Sequence, residues 1–265
     1  MDLLVHHETR YAWDAPGGGA LQQLRLAPRS SPAQDVVEWR LEVEGGTVEA
    51  EYTDHWGARV TLVSAGPGAE ALTLRARGRV RTLRGDGVSG PHRGPAPLWV
   101  FLNPTARTAP GEGIRALAEG APGEGVERLH ALSTEIAGRV AYEGGVTAAT
   151  TPAEEALAAG RGVCQDHAQI FVACARLLGH PARYVSGYLA LDDRVAQNAT
   201  HGWAEAHLDG LGWVGFDPSN GISPDERYVR LATAPDSDAC APVRGLRLGS
   251  AAERLDVAVQ VQMQQ

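Results

Sequence analysis

The sequence predicts an α+β protein in which an antiparallel, sandwich-like β-domain precedes a mixed region built around one buried helix. Three observations carry this. Short stretches of strict apolar–polar alternation fill the first 84 residues, the period of half-exposed strands. A Gly- and Pro-rich stretch follows at 85–97. Beyond it apolar residues recur at spacings of three and four, and one segment is apolar almost all round.

The chain starts as a strand: Met1-Asp2-Leu3-Leu4-Val5-His6-His7 lacks the basic start and apolar stretch of a secretory leader. Leu41 and Val43, then Val48, Ala50 and Tyr52, alternate with acidic residues, and Gly17-Gly18-Gly19 and Gly45-Gly46 mark turns. Leu74, Ala76 and Val80 alternate with Arg75, Arg77, Arg79 and Arg81. That Arg row reads first as a solvated strand face and second as a groove for an anionic substrate. After Pro97, Leu129, Leu132, Ile136 and Val140 define an amphipathic helix over 124–141. Thr151-Pro152-Ala153-Glu154 reads as a helix start with Thr151 as N-cap, and Gly160 as its stop. Past residue 217 the chain reads as loop-rich until Leu255, Val257, Val259, Val261 and Met263 alternate as a last strand.

The stretch Gly160-Arg161-Gly162-Val163-Cys164-Gln165-Asp166-His167 runs into Ala168-Gln169-Ile170-Phe171-Val172-Ala173-Cys174, a buried central helix stopped by Gly179 and Pro181. Cys164 therefore sits at a helix N-terminus, where unpaired N–H groups and the positive dipole end favour a thiolate and could hold the oxyanion of a tetrahedral intermediate. A lone cysteine is more often a small core residue, and Cys174, inside the same helix, is read as one. Cys240, in a polar loop, carries no reading.

Company singles out Cys164. His201 opens a strand and Asp217 closes the next, with Asp209-Gly210 as the turn between them and Pro218 as a terminator. An imidazole beside the thiol would take its proton, and a carboxylate on the far nitrogen would fix the tautomer. Alone, His201 reads more readily as a satisfied core or strand-end histidine, Asp217 can be read as a turn cap before Pro218, and His207 reads as exposed or structural. Register sharpens the idea. A two-residue turn pairs Leu208 with Leu211, numbers summing to 419, and throws His201 and Asp217 onto opposite faces. A shared face requires an even sum, such as 418, hence an odd-length loop or a bulge.

Composition excludes several classes. A net charge of −8 gives no footprint for nucleic acid or anionic membrane, and no apolar run reaches the length of a membrane span. Three cysteines without a C-x-x-C pair argue against a disulfide framework and a structural zinc site. All 24 basic residues are Arg. The cytoplasm is the expected location, and no cofactor or metal is expected.

The blocks Gly162 to Ala168, Gly179 to Tyr188, His201-Gly202-Trp203 and Gly212 to Pro218 together resemble the bacterial transglutaminase-like family. His7 to Tyr11, Leu24 to Arg29 and Phe101 to Thr105 extend the resemblance outside the core. It implies a papain-like transglutaminase core, a central helix packed on an antiparallel sheet, over 98–223. Residues 1–84 would form the β-domain that precedes it, 85–97 a linker and 224–265 a loop-rich segment ending in a strand. It further implies Cys164 as nucleophile, His201 as general acid/base and Asp217 as orienter, with a thioester passed to water or to an amine. Trp56-Gly57-Ala58 departs from the family's usual Gly-Asn pair, and Ala234-Pro235-Asp236-Ser237-Asp238 replaces its usual Gly-Arg-Asp-Tyr stretch. The latter segment bears on substrate choice. No EF-hand loop is present, so Ca²⁺ activation is not implied.

The expected activity is thiol-dependent hydrolysis of an amide in a peptide, protein or small molecule, as a peptidase or amidase. Transfer to a primary amine acceptor is the alternative. Gln165 is a candidate oxyanion or substrate contact. Trp99 and Trp203 are candidate cleft walls, with core packing as the plainer reading for each. Two further readings stay open: a non-catalytic binding module, and a metal site on Cys164, His167 and His201. Substrate identity and oligomeric state are not legible.

Overall fold

A computed structural model describes residues 1–14, 18–191, 195–197, 199–249 and 252–264; Gly17 of the first glycine run lies outside them. The alternating stretches form β1 (Asp2–Trp13), β2 (Gly19–Ala27), β3 (Gln34–Glu44), β4 (Thr47–Thr53), β5 (Arg59–Ala65) and β6 (Ala71–Thr82). Next come β7 (Val88–Gly90), a 3₁₀ turn (Leu98–Leu102), α1 (Glu112–Gly120), α2 (Gly125–Arg139), β8 (Ala141–Tyr142), α3 (Ala153–Ala159), β9 (Arg161–Gly162) and α4 (Cys164–Leu177). The chain ends through β10 (Ala182–Leu189), β11 (Ala196–Gln197), β12 (His201–Leu208), β13 (Gly212–Phe216), β14 (Tyr228–Ala234), β15 (Val243–Leu248) and β16 (Glu253–Gln264).

Two antiparallel sheets, ordered β11-β16-β1-β6-β3 and β15-β2-β5-β4, make the predicted β-domain. Period-two alternation places Leu72, Leu74, Ala76 and Val80 of β6 in the core. On its other face the Arg row meets acidic rows of β1 and β3: Arg75 bridges Glu8 at 2.6 Å and Glu44 at 2.8 Å, Arg77 pairs with Glu42, and Arg81 with Asp2 at 3.4 Å. A solvated, self-neutralising face fits this row; an anion groove does not.

The third sheet, β14-β10-β12-β13-β7, carries α4 against β10 and β12. Every residue of α4 from Asp166 to Arg176 is buried, as an all-apolar helix demands. Phe171 stacks on Phe216 at 4.7 Å, and α1, α2 and α3 cover the rest of the helix. One continuous apolar core runs from the sandwich into this layer. His7, whose ring nitrogens meet the Tyr188 hydroxyl at 2.8 Å and Thr9 Oγ1 at 2.9 Å, pins the two halves together.

Three expectations change. The stretch 85–97 is not only a linker, since β7 within it pairs with β13. The stretch 224–265 holds β14 and β15 as well as the expected β16, and they separate: β14 completes the core sheet, while β15 and β16 return to the two sheets of the β-domain. The alternation of Tyr228 to Ala234 is hidden because this strand is buried on both faces. Finally, Pro152 rather than Thr151 is the N-cap of α3, and the Thr151 hydroxyl instead accepts from the Ala148 N–H. Glu154 serves another helix altogether, accepting from the N–H groups of Gly111, Gly113 and Ile114 at the start of α1.

Candidate active site

Gly160, in the left-handed region at φ 64°, ends α3 so that the chain can turn into β9 and then α4. Val163 is the N-cap of α4 and Cys164 its first residue. Asp166 folds back to accept the Val163 N–H at 2.8 Å and the Thr147 hydroxyl at 2.7 Å. A side chain at position 162 would collide with that carboxylate at 2.6 Å, so Gly162 is required there. The N–H groups of Asp166 and His167 both turn to the Val163 carbonyl. Those of Cys164 and Gln165 have no carbonyl of the helix to bond, which leaves donors and the positive dipole end beside the thiol.

The hairpin register is the one that the side chains require. Leu208 faces Gly212 and Ala204 faces Phe216, so paired numbers add to 420 and residues 209–211 form an odd-length loop. His201 and Asp217 therefore share a face, displaced by one diagonal step rather than directly opposed. His201 Nε2 and Asp217 Oδ2 are 2.6 Å apart. Asp217 is fully buried and also accepts from the Tyr228 hydroxyl (2.8 Å), the Asn220 amide (2.7 Å) and the Ser219 hydroxyl (2.6 Å). These donors, with the His201 hydrogen bond foremost, overcome the upward pull of burial and hold its carboxyl at about 2.

Burial pulls His201 down, but hydrogen bonds to Asp217 and then to Cys164 override it and raise the imidazole to about 10. With Nε2 held by Asp217, Nδ1 is the nitrogen left for the sulfur. The ring lies parallel to Trp203 (6.1 Å between centroids) and edge-on to Tyr228 (5.8 Å). Cys164 and His201 line one cavity of about 640 Å³, together with Gln165, Tyr184, Ser237, Asp238 and residues 240–242. The segment around Ser237 and Asp238, where the sequence departs from the family pattern, is thus a wall of that cavity. Arg176 of α4 anchors it by donating to the Pro235 carbonyl at 2.6 Å.

The other candidates divide. Gln165 lines the cavity, but its amide donates to the Ala149 carbonyl at 3.1 Å. Trp99 is 65 % exposed in the 3₁₀ turn and touches no part of the cavity, so it is not a cleft wall. Trp203, 2 % exposed, is not one either; it supports the His201 ring from within the protein. Cys174 is buried, and burial pushes its thiol up to about 12. Cys240 proves informative after all: buried, and likewise pushed up to about 12, it lines the same cavity as Cys164. His167 has both ring nitrogens on backbone carbonyls, those of Val163 (2.9 Å) and Val140 (2.8 Å), leaving neither for a metal. Sequence reasoning missed Ser219, Asn220, Tyr228 and Tyr184. Only the first two had a local signal, the Asp-Pro-Ser-Asn-Gly turn after Phe216.

Comparison with known proteins supplies the family. The transglutaminase-like superfamily model matches residues 115–218, and that of the bacterial transglutaminase-like N-terminal region matches residues 3–81. An uncharacterized protein of Mycobacterium leprae is 29% identical over 98% of both chains. Another, of Mycobacterium bovis, is 38% identical over 46% of this chain and 42% of its own. A crystal structure from Cytophaga hutchinsonii, described as that of a candidate cysteine protease, superposes with a TM-score of 0.80 over 100% of this chain and 92% of that one, at 20% identity. Both regions are thus present in this order: a bacterial transglutaminase-like N-terminal region followed by a core of the transglutaminase-like superfamily.

Proposed function

We propose that this protein is a thiol-dependent acyl hydrolase that cleaves amide bonds through a thioester on Cys164. The observation that carries the proposal is the His201 ring, held by Asp217 on one nitrogen and hydrogen-bonded to Cys164 on the other side, at the mouth of a cavity large enough for a peptide-sized group. The Cys164 sulfur attacks the amide carbonyl, and the oxyanion that forms is met by N–H groups at the start of α4. His201 then gives its proton to the departing amine, leaving the acyl group on sulfur. Water, deprotonated by His201, attacks the thioester, returns the proton to the ring and frees the acid. Asp217 holds the ring in the one orientation that serves both steps.

Hydrolysis is preferred to transfer because water needs no second binding site, whereas an acceptor amine does. The Cytophaga protein, described as a candidate cysteine protease, shares the fold and leans the same way. Incubation with a Gln-rich protein and a fluorescent primary amine separates the two. Release of ammonia or of new amino termini without incorporation of the amine is the expected result. Stoichiometric incorporation would replace hydrolysis by transfer. Neither, with Cys164 unreactive to iodoacetamide, would reduce the protein to a binding module.

A further inference from the structure

The core sheet carries a second cavity, on the side turned away from α4. Arg183 and Tyr184 are consecutive on β10, so their side chains leave opposite faces of the sheet. Tyr184 lines the thiol cavity, whereas Arg183 lines one of about 570 Å³ that shares no residue with it. The β-domain closes this second cavity through the turn that follows β2 and the turn between β4 and β5.

Its charge is one-sided. Arg29, Arg93, Arg183 and Arg230 line it and, among the described residues, no Asp or Glu does, in a chain whose net charge is −8. Arg183 and Arg230 share a single fully buried carboxylate, that of Glu205, which Arg183 meets at 2.7 Å on Oε2 and Arg230 on Oε1. One carboxylate offsets one guanidinium, so this trio keeps an excess positive charge on side chains only 10% and 22% exposed. An uncompensated charge so far from water is costly. The Arg row of β6 shows the other solution, because there each guanidinium has a carboxylate across the ladder. The second cavity also has walls for the rest of a ligand. The Arg183 guanidinium lies 3.9 Å over the Trp213 ring, which fixes its plane, and Trp56 lines the cavity as well. At the rim Arg29 is tied by a 2.5 Å hydrogen bond to the Gly57 carbonyl.

We propose that this cavity binds a small molecule bearing an oxyanion, phosphate or carboxylate, whose oxygens meet Arg183 and Arg230 while Arg29 and Arg93 approach from the rim. Planar guanidinium forks suit the paired oxygens of either group. The site is independent of the thiol chemistry and stands whether or not Cys164 is catalytic.

The full chain is titrated calorimetrically with inorganic phosphate and, separately, with an acidic tripeptide with blocked termini, each against chloride at equal ionic strength. At least one of the two binds at one equivalent. Its affinity falls at least about tenfold in the double variant R29Q/R93Q, whose exposed positions leave the core intact, and is unchanged in R79Q/R81Q on the β6 face. Binding of phosphate alone assigns a phosphate ligand, binding of the tripeptide alone a carboxylate, and binding of both the shared oxyanion chemistry. No binding above chloride, or equal weakening in the two double variants, would overturn the proposal.

Discussion

Cys164 and Cys174 stand ten residues apart on one helix, and the helix treats them oppositely. Cys164 occupies the first position of α4, half-buried at the edge of a cavity, with unpaired N–H groups beside it and an imidazole in reach. Cys174 sits inside α4, where its N–H and carbonyl belong to the helix, and its sulfur, packed in the core, donates to the Ile114 carbonyl at 3.6 Å. A helix interior satisfies its own polar groups and offers a side chain only packing; a helix start offers donors and a field. The proposed reactivity is thus a property of position along the helix, not of residue type.

The sharpest way to break this contrast is chemical. Cys164→Ala should lower amide cleavage at least about 10³-fold while the melting temperature stays within about 2 °C, because the proposed mechanism makes the sulfur the nucleophile and little packing is lost. Cys174→Ala should leave activity within about twofold. Next in size, Asp217→Asn should lower kcat about 10²- to 10⁴-fold, since an amide at that position no longer selects the ring tautomer. Iodoacetamide at pH 6 should label Cys164 at least about 100-fold faster than Cys174 or Cys240 by mass spectrometry, with burial holding the latter two back. Equal rates would remove the distinction between the start of the helix and its interior.

Stability should run the other way. Cys174→Ser places a hydroxyl in an apolar site and should cost about 1–3 kcal/mol in urea unfolding. Cys164→Ser, on the cavity edge, should cost under about 0.5 kcal/mol. Phe171→Ala, which empties a position stacked on Phe216, sets the scale for the helix at about 3–5 kcal/mol.

The same contrast explains what could be read in advance. Position along a helix is written locally: two glycines before Cys164, an apolar run after it and Gly179 as the stop predicted α4. His201 and Asp217 were legible because strand ends and a Pro are local too, and an even register followed from the need to share a face. Contacts built from distant segments left no such trace. Tyr228 reaches Asp217 only because β14 lies in the core sheet beside β10, and Ser237, Asp238 and residues 240–242 reach the thiol cavity on the way from that sheet back to the β-domain. Trp99 and Trp203 fail for a related reason: an aromatic near a motif in sequence says nothing about which face of a strand or turn it occupies. Glu154 likewise lies in the first turn of α3 yet accepts from the start of α1, a pairing that no local signal marks.

The His201–Asp217 pair predicts a pH dependence whose sign follows from the two directions. His201 has a folded value of about 10 against an ordinary 6.5, so its contribution to stability is complete below about 6.5 and disappears as the pH rises towards 10. Asp217 has a folded value of about 2 against an ordinary 3.8, so its contribution is complete above about 5 and disappears as the pH falls towards 2. The stability difference between wild type and Asp217→Asn should therefore be greatest and flat between about pH 5 and 6.5, shrinking on either side in urea unfolding. A difference that grew towards pH 10 would mean that the imidazole is neutral in the folded protein.

The smallest expected effect tests the part of the site contributed from farthest along the chain. Tyr228 donates to Asp217 Oδ2 at 2.8 Å and lies edge-on to the His201 ring. Tyr228→Phe keeps the ring contact and removes one donor of several, since His201 and Asn220 still reach the same oxygen. A hydrogen bond to a charged group contributes about 1.5–3 kcal/mol, and the remaining donors recover part of that. A drop in kcat of about threefold to tenfold with unchanged KM is expected, because the hydroxyl touches the carboxylate and not the substrate. An unchanged kcat would mean that β14 supplies only packing here, and that the His201–Asp217 pair is already fixed by residues of the hairpin and the turn after it.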